Sequence, residues 1–90
     1  MSDHTDNYNF HPIGPWRVER VHEEPVGDTG CAVGIDRITD ARDRSTWRMW
    51  MRTRDGVVHP QCDAKTRKAA LDAMKREAAW ITREARRSTR

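Results

Sequence analysis

Between positions 47 and 54 the chain alternates: Trp47, Met49, Met51 and Thr53 share one parity, and Arg48, Trp50, Arg52 and Arg54 the other. A period of two predicts a β-strand with one apolar face and one face on which arginines surround a tryptophan. Asp55-Gly56 follows, a dipeptide suited to a tight type I′ hairpin turn, so Val57-Val58-His59 reads as a short further strand. Upstream, Cys31, Val33 and Ile35 alternate with Ala32, Gly34 and Asp36, which predicts a strand over 31–38 with small residues on its outer face. Small residues leave room there for a neighbouring side chain or an approaching ligand. A first strand runs through 16–23, where Trp16 and Val18 share a parity that Val21 breaks; the mismatch predicts a bulge or an early end to one-sided burial. Residues 24–30 are turn material rich in Gly, Pro and Asp, and 39–45 form a charged loop.

From about Thr66 the period changes. Ala70, Met74, Ala78, Ile81 and Ala85, flanked by Leu71 and Ala73, recur at helical spacing, and no Pro or Gly interrupts the run. Either Asp63 or Thr66 can serve as N-cap. The periods together predict an α+β fold: an antiparallel three- to four-stranded sheet packed on one C-terminal helix. The Trp47/Met49/Met51 face covers the Met74/Ile81 face, and the other side of the sheet stays open. Residues 16–87 form the single domain in this reading. Residues 1–15 are a flexible tail ending in Phe10, Ile13 and two prolines, and 88–90 fray.

Composition limits the core. Of the 90 residues 36% are hydrophobic and 34% charged, so a sheet face against one helix is about as much as the chain can fill. The net charge of +3 hides an asymmetry: residues 1–45 carry five Lys/Arg against nine Asp/Glu, and 46–90 carry twelve against five. A second half with a net charge of +7 points to an anionic partner, or to a solvated charged surface. No apolar run is long enough to span a membrane and no signal-peptide core is visible, so the cytoplasm is the expected compartment. Fourteen arginines against three lysines fit a GC-rich genome, phage genomes included.

The chemistry-bearing residues narrow the choice further. Cys31 and Cys62 read as isolated thiols in a reducing compartment. The alternatives are a Cys31–Cys62 disulfide and a zinc site joining both to His22 and His59, which lacks a C-x-x-C pair; neither metal nor cofactor is expected. No phosphate-binding Gly-rich loop, nucleophile elbow or H-E-x-x-H motif is present, so no enzyme is expected; His22 with Glu23 and Glu24 is the only acid–base cluster worth naming.

Two explanations compete for Trp50. In one, its ring lies over a cross-strand neighbour and arginines stack on it in solvent. In the other, Arg48, Trp50, Arg52 and Arg54, joined by Arg17, Lys65 and Arg67, face the phosphates and base edges of nucleic acid, with DNA favoured over RNA. A protein partner on the same Trp/Arg face is the alternative from a different class. The β-β-β-α order, the strand "WRMWMRTRDG" and the segment "DAKTRKAALDAMKREAAWI" resemble the AP2-like domains at the N-terminus of phage-type tyrosine integrases, over residues 16–83. The resemblance implies a sheet that reads arm-type DNA through Arg48, Trp50 and Arg52, backed by a helix with Thr66 at its start. The chain departs from that pattern in its longer, more acidic loops at 24–30 and 39–45. No catalytic domain follows either, which implies a small regulator or accessory factor.

Overall fold

The computed structural model describes residues 13–88. Four strands precede one helix: β1 (Arg17–Pro25), β2 (Ala32–Thr39), β3 (Ser45–Arg52), β4 (Val58–Ala64) and α1 (Arg67–Ser88). The strands form one antiparallel meander in the order β1-β2-β3-β4. This is the expected α+β arrangement. The helix lies across β2, β3 and β4 and does not reach β1.

The two periodicities meet in the core. Val33, Ile35 and Met49 of the sheet pack on Ala70, Ala73, Met74 and Ile81 of α1, and Val26 closes one end from the β1–β2 turn. Alanines at 70 and 73 bring the helix close enough for Val33 and Ile35 to be fully buried. Trp47 and Met51 flank this cluster on the same parity, with the guanidinium of Arg37 5.8 Å from the Trp47 ring centroid. Each large aliphatic side chain buried here is worth roughly 1.5–3 kcal/mol, so a handful of residues carries most of the stability of this layer.

Local chemistry fixes the ends of the elements. Thr66 caps α1: its Oγ1 accepts from the Ala69 N–H at 3.1 Å, and its carbonyl accepts from the Ala70 N–H. Arg86 and Arg87 occupy the last turn, where cations suit the helix dipole. Arg20 pairs with Asp36 and His22 with Ile35, which leaves Val21 as the bulged residue that the parity break predicts. A second bulge leaves Gln61 unpaired between the Met49–Cys62 and Trp50–Pro60 pairs. Beyond His59 the chain stays paired to Ala64, because an edge strand tolerates Pro60.

One turn differs from expectation. The Thr53 N–H donates to the Val57 carbonyl, the Gly56 N–H donates to that of Thr53, and only Gly56 of the Asp-Gly pair has positive φ, at 89°. The connection is thus a three-residue loop with glycine in the left-handed position, instead of a two-residue type I′ turn. The β2–β3 loop repeats this construction with Asp43 at φ 60°.

Asp40 holds that loop. Its buried carboxylate accepts 2.9 Å bonds from the Arg42 and Arg44 N–H groups and from Arg44 Nε, and a 3.3 Å bond from the Ile13 N–H. The Ala41 N–H donates in turn to the Ile13 carbonyl. The chain is therefore tied to the sheet from Ile13, within the segment read as tail; residues 1–12 of that tail and the last two residues of the chain lie outside the described residues.

The packing and the Asp40 clamp can each be tested. Met74→Ala or Ile81→Ala should lower unfolding free energy by about 2–4 kcal/mol in denaturant titrations, whereas Lys75→Ala and Arg83→Ala, on the exposed side, should cost little. Equal losses at all four positions would contradict the packing described. The clamp is tested with acid. Burial alone would raise the Asp40 pKa, but its backbone and Arg44 donors lower it from 3.8 to about 2. A folded-state value below the unfolded one means stability that is complete above pH 3.8 and lost as pH falls through about 2. Amide exchange at Arg42 and Arg44 should accelerate across this window, and Asp40→Asn should remove that acid-dependent step. An unchanged step in Asp40→Asn would assign it to another carboxylate.

Candidate nucleic-acid interface

The open face of the sheet is built around Trp50. The β2–β3 register sets Trp50 opposite Gly34. A Cβ at Gly34 would lie 2.7 Å from Cε2 of the indole and 2.5 Å from the His22 carbonyl oxygen, so the ring lies flat where a side chain is missing. Its Nε1–H donates to Asp36 Oδ1 at 3.0 Å, and Cζ of Arg20 lies 4.4 Å from the ring centroid, with that of Arg52 at 5.6 Å. Only 1% of Trp50 is exposed. The expectation of a groove-facing ring is therefore corrected. Trp50 is a buried residue of a second, smaller core, and the outer small residues of β2 leave room for it.

Carboxylates hold the covering arginines in place. Arg20 Nε donates to Asp36 at 2.8 Å and its Nη1 to Glu23 at 3.1 Å, while Arg52 donates to the other oxygen of Glu23. Arg48 forms a two-pronged pair with Asp63 at 2.7 and 3.1 Å. Hydrogen bonds from Arg52 and then Arg20 hold the Glu23 carboxyl below its usual range, and the bond to Asp63 raises Arg48. Burial works against the charge of Arg20, but its bonds to Asp36 and Glu23 raise it on balance. Ion pairs this close to water add little stability individually, because solvent screens them. Covering an indole of about 150–250 Å² is worth roughly 4–6 kcal/mol. The lattice therefore matters mainly as a lid on Trp50, and its guanidinium groups are already engaged.

The seven sequence candidates do not converge. Arg48, Trp50 and Arg52 share the open face; Arg54 leaves the strand and sits in the β3–β4 turn. Arg17, Lys65 and Arg67 lie at the opposite end of the sheet, where β1 starts and β4 runs into α1. Arg17 is exposed and 3.9 Å from Asp43.

The outer face of α1 lies apart from the sheet-face candidates Arg48, Trp50 and Arg52. Lys68, Lys75, Arg76, Arg83 and Arg87 recur at i, i+7, i+8, i+15 and i+19, on the side away from Met74 and Ile81, and all are exposed. The spacing is legible in the same helical period that locates the core. Lys68 pairs with Asp72 at 3.2 Å and Arg87 with Glu84 at 3.3 Å, exposed pairs of the kind that support a helix only weakly. Lys75, Arg76 and Arg83 contact no carboxylate among the described residues. Trp80 lies among them with 49% of its surface exposed.

Other chemistry is sparse. Cys31 and Cys62 are free thiols; burial, then the charge of Asp63, raises the Cys62 thiol and makes it a weaker nucleophile. His22 Nε2 bonds Glu24 at 2.8 Å. Among the described residues, no group of three or more His, Cys, Asp and Glu is placed to hold a metal, and no helix is long and apolar enough to cross a membrane. No protein-family model, curated protein or solved structure matches the chain.

The Trp50 packing is testable by mutation. Trp50→Ala should lower stability by about 3–5 kcal/mol. Gly34→Ala, which adds a methyl group under the ring, should cost about 1–3 kcal/mol. Unchanged melting temperatures in both variants would mean that the indole does not lie on Gly34.

Proposed function

We propose that the protein is a small nucleic-acid-binding regulator or accessory factor, DNA being the expected polymer, and that the outer face of α1 holds the phosphate backbone. The observation that carries this reading is the contrast in pairing. The sheet cations Arg20, Arg48 and Arg52 are matched by Asp36, Glu23 and Asp63, whereas Lys75, Arg76 and Arg83 have no such match among the described residues. Unmatched cations on a rigid helix need no partner to be broken before they meet phosphates. Binding there also releases the counterions that condense on the polymer. Lys75 and Arg76 precede Arg83 by about two turns, roughly 10–12 Å along the axis, so one helix face can contact several phosphates. This reading moves the interface from the arm-reading sheet face implied by the integrase-like resemblance to the helix.

Two free thiols agree with a reducing compartment, and so with a role in the cytoplasm. A protein partner has a separate observation in its favour: Ile13, Trp16 and Val18 leave apolar surface exposed around the start of β1. Salt separates the two readings, because an apolar contact there would be far less sensitive to it.

Affinity for a short DNA should be measured by fluorescence anisotropy across a salt series, for the native chain, for Lys75→Ala/Arg76→Ala/Arg83→Ala and for Arg48→Ala. The helix variant should bind weakly, and its salt slope should fall by roughly one for each phosphate that is no longer neutralised. Arg48→Ala should keep its slope. A helix variant that binds as the native chain does, or native binding insensitive to salt, would overturn the proposal.

A further inference from the structure

Trp80 is the one large aromatic on the exposed part of α1. Helical spacing sets Arg76 at i−4, Arg83 at i+3 and Arg87 at i+7 on its side of the helix. The neighbouring residue, Ile81, is buried in the core, so the Trp80 backbone is fixed while its ring stays half in solvent. The ring forms one wall of a groove whose apolar lining comes from Met51, Cys31, Ile81 and Ala85, with Arg54 at its rim.

Arg54 is placed there by backbone shape and not by an ion pair. Gly30, at φ 86°, lies beneath it, and a Cβ at Gly30 would come within 2.8 Å of Arg54 Cγ. No carboxylate partner holds Arg54 among the described residues. Asp28 and Glu84 also line the groove, and Arg87 bonds Glu84. These acids repel phosphate from the groove itself but can accept from base N–H groups, including the ring N–H of thymine and uracil.

We infer that the nucleic acid bound by α1 is single-stranded, with an unpaired base stacked on Trp80 in this groove and flanking phosphates on Arg54, Arg76 and Arg83. This rests on the phosphate-binding role proposed above and adds the class of polymer. A duplex keeps its bases stacked on each other, so it can use the cations but not the ring. An exposed aromatic between guanidinium groups beside an apolar slot suits a strand whose bases are free.

The experiment compares oligothymidylate, oligouridylate and duplex DNA of equal length at low salt, by anisotropy, with the intact chain. The native protein should bind one or both single strands more tightly than the duplex. Trp80→Ala should weaken single-strand binding about 5- to 100-fold, the size of one base–aromatic stack. Its salt slope should not change, nor should its duplex affinity. Trp80→Phe, which keeps a stacking surface, should retain most of the affinity, and circular dichroism should show both variants folded. Equal affinity of Trp80→Ala and native protein for single strands, or tighter binding of duplex, would overturn this inference while leaving phosphate binding by α1 intact. Binding that survives replacement of Lys75, Arg76 and Arg83 by alanine would instead overturn the proposed function, and this inference with it.

Discussion

Trp50 has a place on the sheet only because position 34 carries no side chain. That constraint organises the open face. With the indole lying over Gly34, its N–H reaches Asp36 on the same strand as that glycine, and its upper surface is left for Arg20 and Arg52. Once the guanidinium groups are over the ring, Glu23 and Asp36 are positioned to hold them. A chain of this size has too little apolar material for helices on both sides of its sheet. It covers the second side with one large aromatic and a layer of ion-paired side chains whose aliphatic stems shield the ring.

This arrangement also determines where the charge remains available. The first half of the chain is acidic and the second half basic, yet the halves do not simply face each other as opposite poles. Acids from β1 and β2 neutralise arginines of β1 and β3 across the strands, and Asp63 on β4 neutralises Arg48. The basic surplus of the second half is then concentrated on α1, which holds seven Lys/Arg against three Asp/Glu between residues 67 and 88. The helix uses its alanines to approach the sheet and its cations to face outward. One pattern of residues thus sets both the packing distance and the surface field.

Parity and helical period make most of the architecture legible. They assign Trp47, Met49 and Met51 to the helix-covered side, locate the bulge near Val21, and identify Met74 and Ile81 as the inner helix face. What they cannot give is the cover on the other side of the sheet. Alternation says that Trp50 points away from Met49, but not that Gly34 lies beneath it or that Arg20, two strands away, lies above. Those facts depend on register, which the turns set. The β3–β4 turn escapes a sequence reading because Asp-Gly suits a two-residue loop and a three-residue loop equally, and backbone hydrogen bonding decides between them. The acidic loop at 39–45 reads in sequence as a departure from a DNA-binding pattern, whereas one of its acids, Asp40, is the clamp that shapes the turn and holds Ile13.

Trp50 and Trp80 show why an aromatic among arginines is an ambiguous sign in sequence. Around Trp50 every element of recognition is already satisfied: the N–H has its acceptor, the ring has its cation, and each cation has its carboxylate. A ligand would have to displace contacts at least as good as those it offers. Around Trp80 the ring is half in water, Arg76 and Arg83 have no carboxylate among the described residues, and an apolar groove adjoins it. The difference lies in the acids, not in the arginines or the tryptophans. Where acids from neighbouring strands can reach the guanidinium groups, the cluster is internal structure. Where the helix carries its cations beyond their reach, the same two residue types are left exposed and unmatched by acids.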